Sequence, residues 1–109
     1  MDTDKRKYFR FNVELAVHYR QLESLKAYKL TCTEDMSERG IRITLPEYFE
    51  PGTLLELTID IPHEEHGITA IGRIIWVKKD LLMQVFTVGL ALVHIKETDK
   101  TLFYKYALL

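Results

Sequence analysis

The chain has 109 residues, of which 47% are hydrophobic and 28% charged. This length and composition fit one globular domain and exclude a disordered, collagenous or low-complexity chain. Fifteen lysines and arginines stand against sixteen acidic residues, so a globally basic nucleic-acid-binding domain is not expected. A single cysteine, Cys32, excludes an internal disulfide framework.

The amino terminus is polar and lacks the apolar segment of a signal peptide. No stretch approaches the roughly 20 apolar residues that a membrane helix needs. We therefore expect a cytoplasmic protein with no membrane insertion.

Short strands follow one another closely along most of the chain. Alternating apolar and polar residues predict strands at 9–19, 26–34, 41–45, 55–61, 68–77 and 85–95. No helix separates them, and closing the sheet removes its exposed edges, so the pattern predicts an all-β, closed antiparallel barrel. Thr98 is predicted to cap a short helix over 98–108, which carries an apolar stripe of Leu102, Phe103 and Tyr106.

Two polar segments are predicted to meet on the outside of this barrel. The first is the basic segment that ends at Arg10, and the second is the loop that contains Asp35. If the first two strands turn near Leu22 and Glu23, facing residue numbers sum to about 45, which places Arg10 opposite Asp35. Apolar odd-numbered residues of the first strand point inward, so Arg10 points outward.

The residue types in these segments suit a guanine nucleotide. Arg6 and Arg10 carry planar guanidinium groups that can bind phosphate or guanine with two hydrogen bonds. The carboxylate of Asp35 can accept hydrogen bonds from the N–H donors of guanine, and Ser37 can donate or accept one. Gly40 permits a positive φ or a close approach of a ligand.

The same residues resemble the two motifs of PilZ domains. Arg6 and Arg10 are spaced as in the Arg-x-x-x-Arg motif, and the segment 35–40 resembles the (Asp/Asn)-x-Ser-x-x-Gly motif. Further similarity lies in the strand that follows Gly40, in Gly72-Arg73-Ile74-Ile75-Trp76 and in the last strand, so that it covers residues 5–105. The resemblance implies a six-stranded antiparallel barrel that binds the bacterial second messenger cyclic di-GMP.

The resemblance also implies roles for individual residues. Arg6 and Arg10 would hold guanine and phosphate, Asp35 and Ser37 a guanine edge, and Gly40 would shape the turn. Secondary contacts are expected from Lys5, Lys7, Arg39, Arg42 and Trp76. In the family, a basic residue just before the first arginine tends to accompany binding of an intercalated cyclic di-GMP dimer. Lys5 occupies that place, so we expect two nucleotides per chain.

We therefore predict one domain over 1–109, which consists of a mobile tail at 1–8, a barrel at 9–95 and the final helix. The tail is polar and highly charged, and we expect it to become ordered on the nucleotide. The predicted function is a non-catalytic cyclic di-GMP sensor that signals to a partner protein. Two alternatives are a PilZ-fold adaptor that binds no nucleotide and a small barrel that binds single-stranded nucleic acid.

No metal, cofactor or catalytic residue is expected. His63 and His66 flank two glutamates, but they lie between Pro62 and Gly67, where a solvated loop is favoured over a metal-binding helix. No nucleophile with a neighbouring base is evident in the sequence.

Overall fold

The computed structural model describes residues 14–107, which form a closed antiparallel barrel followed by a short helix. The strands are β1 (Ala16–Gln21), β2 (Lys29–Ser37), β3 (Gly40–Leu45), β4 (Leu54–Ile59), β5 (Ile68–Asp80) and β6 (Val85–Ile95). Around the barrel they run in the order β1-β2-β3-β6-β5-β4, and every neighbouring pair is antiparallel. The predicted six-stranded fold is confirmed.

The barrel interior is built by the alternation that the sequence shows. Leu15, Val17 and Tyr19 point inward from the first strand and are buried, as predicted, while His18 lies on the outer face. The other strands contribute aliphatic side chains at every second position, such as Ile41, Ile43 and Leu45 of β3. This apolar interior is the main source of the stability of the fold. Residues 9–13 of the predicted first strand lie outside the described residues.

The second strand differs from its prediction. It begins three residues later than expected and continues through Ser37, where a polar break was predicted. A β-bulge between Thr33 and Asp35 changes which side chains face the interior. Thr33 pairs with the core residue Ile43, but Met36 pairs with the core residue Ile41, so the inward parity switches from odd to even. Asp35 and Ser37 therefore point to the outer face.

The connection between β1 and β2 also differs from its prediction. A seven-residue loop, 22–28, replaces the tight turn expected at Leu22 and Glu23. Ala16 pairs with Cys32, so facing residue numbers sum to 48 rather than 45. The predicted register was therefore wrong by three positions, and the strand partner that the structure records for Asp35 is Arg42.

The hairpin of β5 and β6 is longer than the rest of the sheet. β4 pairs with β5 only up to Arg73, whereas β6 pairs with β5 as far as Asp80. Lys78, Lys79 and Asp80, which follow the predicted end of this strand at 77, belong to β5, and the turn is 81–84. We call residues 75–88 the β5–β6 arm.

The chain ends in helical structure that packs on the barrel. A 3-10 helix (Glu97–Asp99) precedes α1 (Lys100–Ala107), so Thr98 lies inside the 3-10 turn and the predicted cap was wrong. The predicted apolar stripe is confirmed at Phe103, which is fully buried, and at Leu102, which packs against the core; the Tyr106 side chain lies outside the described residues. None of the helices formed by residues 14–107 is long and apolar enough to span a membrane.

Candidate functional site

Four residues from four strands form a row across the outer face of the barrel. Asp35 of β2 pairs with Arg42 of β3, Arg42 pairs with Gly89 of β6, and Gly89 pairs with Trp76 of β5. Directly paired residues of an antiparallel sheet lie on the same face. We call these four residues the outer row. It joins a carboxylate, a guanidinium group and an indole ring in one line.

Asp35 and Arg42 form an ion pair at one end of the outer row. The Arg42 Nη2 atom lies 2.8 Å from the Asp35 Oδ2 atom, and the Asp35 side chain is nearly fully buried. Burying a carboxylate is costly unless it is paired, so Arg42 stabilises Asp35 in place. The Nε atom of Arg42 lies 3.7 Å from Glu34 and is buried with no hydrogen bond among the described residues.

Ser37 and Gly40 close the hairpin between β2 and β3. They are paired directly across it, with Glu38 and Arg39 in the turn. The Ser37 hydroxyl oxygen accepts a hydrogen bond of 3.4 Å from the Arg39 backbone N–H, and the Arg39 side chain is exposed. This bond fixes the Ser37 side chain beside the outer row.

The close packing of a neighbouring strand requires a glycine at position 40. A β-carbon at position 40 would overlap the carbonyl oxygen of Leu90 in β6. Of the two uses expected for this glycine, a positive φ is not found, and the close approach is made by the barrel itself. The close approach that this glycine permits is between two strands of the barrel, which keeps the motif hairpin against β6.

The indole ring of Trp76 packs against the backbone of Gly89. A β-carbon at position 89 would overlap Nε1 and two carbons of the indole ring. Packing on the glycine buries one side of the ring, while Trp76 as a whole stays 40% exposed. Its opposite face is available to a flat ligand, and indole is well suited to stacking on a base.

A groove of about 410 Å³ runs from the outer row along the β5–β6 arm. Its lining includes Arg42, Trp76, Lys78 and Thr87. Lys78 was not predicted as a ligand residue, although it lies two residues after Trp76 and alternation would have placed both on one face. Arg73 was not predicted either. It pairs with Ala91, which pairs with Gly40, so it lies on the outer face next to the outer row, and a bulge at Ile75 shifts the alternation between it and Trp76.

A second polar cluster lies between β1, β2 and the connection from β3 to β4. The Tyr19 hydroxyl donates a hydrogen bond of 2.7 Å to Glu47, whose other carboxylate oxygen lies 2.6 Å from Lys29 Nζ. Burial raises the pKa of Tyr19, and the Glu47 carboxylate raises it further. Burial alone would raise the pKa of Glu47, but the hydrogen bonds from Lys29 and Tyr19 lower it.

The remaining predicted ligand residues lie outside the described part of the chain. They are Arg6, Arg10, Lys5 and Lys7. His63 and His66 lie in a loop, as expected, and within residues 14–107 no three His, Cys, Asp or Glu side chains are arranged to share a metal ion.

Comparisons with solved structures show the same architecture. The inhibitor of motility MotI/DgrA of Bacillus subtilis superimposes with a TM-score of 0.76 at 24% identity; the match covers 97% of this chain and 51% of that one. This chain thus spans about half the length of MotI/DgrA. The PilZ domain of CeSA from a cellulose-synthesising bacterium has a TM-score of 0.68 at 13% identity, over 92% of this chain and 95% of that one.

The third comparison is a structure with a nucleotide bound. The PilZ domain of YcgR from Escherichia coli, solved with cyclic di-GMP, has a TM-score of 0.67 at 12% identity, over 96% of this chain and 90% of that one. No curated protein sequence matched. The amino-acid sequence matches the PilZ domain over residues 4–108, nearly its whole length. Together with the closed barrel and the position of the motif hairpin, this match shows that the chain belongs to the PilZ domain family.

Proposed function

We propose that this domain binds cyclic di-GMP on the outer face formed by β2, β3, β6 and β5. The observation that carries the proposal is the outer row, which presents the acceptor of Asp35, the cation of Arg42 and the ring of Trp76 in one line. Guanine offers N–H donors and a flat surface, and the nucleotide's phosphates are anionic, so each group in the row has a counterpart in the ligand.

The proposed roles follow from these positions. Asp35 and Ser37 accept hydrogen bonds from a guanine edge, and Arg42 keeps the Asp35 carboxylate oriented. Trp76 stacks on a base, and Lys78 lies in the groove where it can meet a phosphate. Arg39, exposed in the motif turn, is a further candidate for phosphate contact.

The family motif supplies the other ligands. Arg6 and Arg10 are proposed to hold guanine and phosphate, with Lys5 and Lys7 adding positive charge. We propose that the segment 1–8 becomes ordered on the nucleotide. Heteronuclear relaxation of the free and bound protein tests this step, and a segment as rigid as the barrel strands before ligand is added would contradict it.

We propose that the bound domain signals to a partner protein in the bacterial cytoplasm without catalysis of its own. Two findings support a regulatory role. PilZ domains are regulatory binding domains, and the structural neighbour MotI/DgrA is described as an inhibitor of motility. The partner of this chain would recognise the nucleotide together with the surface around it.

A calorimetric titration of the whole chain tests nucleotide binding. We expect heat with cyclic di-GMP, much less with GTP or cyclic GMP, and amide shifts at β2, β3 and β6. Asp35→Asn should weaken binding by roughly ten- to a hundredfold, since a charge-assisted hydrogen bond contributes about 1.5–3 kcal/mol.

Asp60→Asn is the matched control, because Asp60 is an exposed carboxylate bound to His18 on another part of the barrel. It should bind like the wild type. Absence of heat and amide shifts with excess cyclic di-GMP would overturn the proposal and favour an adaptor that binds no nucleotide. Binding of a single-stranded oligonucleotide instead would favour the nucleic-acid alternative.

A further inference from the structure

The tip of the β5–β6 arm presents three consecutive apolar side chains to solvent. Leu81, Leu82 and Met83 are 74%, 93% and 70% exposed. They lie beyond the last residue pair of the hairpin, Asp80 and Val85. Three neighbouring apolar side chains exposed at a hairpin tip are unfavourable in water. Such exposure is typical of a surface that contacts a membrane or another molecule.

Four backbone groups of the tip have hydrogen-bond partners within it. The Asp80 carboxylate accepts hydrogen bonds from the backbone N–H groups of Leu82 and Met83, at 3.0 and 3.1 Å. The Gln84 backbone N–H donates to the Asp80 carbonyl at 2.9 Å, and the Gln84 side chain donates to the Leu81 carbonyl at 3.0 Å. The apolar tip can therefore leave water without stranding these backbone groups, which would be costly in an apolar phase.

Two lysines lie at the end of β5, close to the tip. Lys78 and Lys79 lie on opposite faces of the arm, opposite Thr87 and Phe86. Neither makes an ion pair with any residue of the described range 14–107, and the Lys79 ammonium lies 5.9 Å from the centre of the Phe86 ring. An apolar tip followed by unpaired cations matches the profile of an anionic bilayer surface, with apolar chains beneath phosphate headgroups.

We infer that the tip of the β5–β6 arm contacts an anionic membrane surface, with Leu81, Leu82 and Met83 inserted among the lipids and Lys78 and Lys79 at the phosphates. The two lysines beside the apolar tip favour an anionic lipid surface as the occupant, because that surface offers both apolar chains and phosphates. The contact is peripheral, and it departs from the expectation of no membrane insertion at this hairpin tip alone. Lys78, Leu81 and Leu82 also line the groove proposed for the nucleotide, so membrane binding is measured without nucleotide.

Co-sedimentation with vesicles tests this inference. The whole chain should bind vesicles of equimolar phosphatidylcholine and phosphatidylglycerol and should not bind phosphatidylcholine alone. Leu82→Ser should weaken binding roughly tenfold, as expected for the loss of one inserted leucine. Leu25→Ser is the matched control, because Leu25 is fully exposed in the β1–β2 loop, and it should bind like the wild type.

The role of the two lysines is tested by the same co-sedimentation experiment. Lys78→Gln combined with Lys79→Gln should lower binding roughly tenfold or more, and added salt should lower the binding of the wild type. Lys26→Gln combined with Lys96→Gln changes the net charge equally at two other exposed positions and should have little effect. Equal losses in both double variants would show that charge alone acts and would overturn the inference.

An environment-sensitive fluorophore reports insertion directly. With the exposed Cys32 replaced by Cys32→Ser, a label at Leu82→Cys should shift to shorter wavelength on anionic vesicles, while a label at Leu25→Cys should not. A chain that does not bind anionic vesicles overturns the inference. A partner protein that is captured by the wild type but lost in Leu82→Ser, with no vesicle binding, would assign the tip to protein docking instead.

Discussion

The carboxylate of Asp35 and the guanidinium group of Arg42 are 2.8 Å apart between directly paired residues of β2 and β3. The Asp35 side chain is 6% exposed and that of Arg42 is 37% exposed. The buried carboxylate is therefore paired with a guanidinium group that remains partly accessible to solvent. A ligand that binds at the outer row would therefore contact an Asp35 carboxylate that Arg42 has already oriented.

Arg42→Gln should therefore impair both stability and nucleotide binding. Removing the cation of Arg42 from beside a buried carboxylate costs about 1–3 kcal/mol, and the Asp35 side chain loses a contact that orients it toward the guanine edge. We expect a lower melting temperature and roughly tenfold weaker binding of cyclic di-GMP, measured by thermal denaturation and calorimetry. Arg20→Gln, at a half-buried ion pair with Glu56 away from the outer row, should change affinity little. Unchanged affinity in Arg42→Gln would contradict the role of Arg42.

Gly89→Ala should displace the indole ring of Trp76. The added β-carbon occupies space that the ring now fills, so the ring must leave the barrel wall. Trp76 is the only tryptophan, so its fluorescence reports the change directly, with emission at longer wavelength. Nucleotide affinity should fall because the stacking surface is lost, by roughly 1–3 kcal/mol. Thr87→Ala on the same strand should leave the emission unchanged.

Arg6→Ala and Arg10→Ala should each weaken cyclic di-GMP binding roughly ten- to a hundredfold, the contribution of one charge-assisted hydrogen bond. Calorimetry measures the loss, and thermal denaturation checks that the fold is retained. Lys105→Ala, which also removes one exposed cation, is the control. An arginine variant that binds like the wild type would show that the motif role does not hold at that position.

The wild-type chain should bind two nucleotides, as an intercalated dimer. Four phosphates need more neighbouring cations than two, and Lys5 adds one beside the motif arginines. Lys5→Leu should shift the stoichiometry toward one while binding survives. Calorimetry with an independently measured ligand concentration distinguishes these cases, and a wild-type ratio of one would refute the expectation.

Glu47→Gln should lower stability at neutral pH but not in acid. Because the pKa of Glu47 is lowered in the folded state, its contribution is present above the ordinary value of 4.5 and is lost as pH falls through the lowered pKa. The difference in melting temperature between variant and wild type should therefore shrink below 4.5. Glu65→Gln, in the exposed loop after Pro62, should match the wild type throughout. A difference that stays constant with pH would contradict the charge-based explanation.

The parts of the fold that alternation encodes were predictable from sequence. β6 was predicted with its observed bounds, and the inward set of β1 was correct where the structure describes it. Alternation fails at the bulges, because one extra residue reverses the inward parity without any marker in composition. That failure explains why the predicted second strand ended at 34 instead of Ser37, and why Arg73 was omitted.

The candidate site was predictable only in its residue types. The motif placed Asp35, Ser37 and Gly40 in one turn, but it could not show that Arg42 pairs with Asp35 across the ladder. It also could not show that the close neighbour of Gly40 is the Leu90 carbonyl of β6. Contacts between distant strands depend on register, and a loop of unpredicted length between β1 and β2 was enough to shift the expected register by three positions.

Because β2 contains a bulge, the number of residues in the motif segment is as important to the site as their identities. Glu34 is the extra residue of the bulge, so deleting it would leave Thr33 opposite Ile43 and Asp35 opposite Arg42. Deleting Met36 instead, with Ser37 kept opposite Gly40 by the turn, would place Asp35 opposite the core residue Ile41 and turn it toward the barrel interior. The aspartate, serine and glycine of the motif would still be present in the sequence, yet the carboxylate would no longer lie beside Arg42. A single-residue deletion between Asp35 and Ser37 would therefore disrupt the site more completely than most substitutions within it.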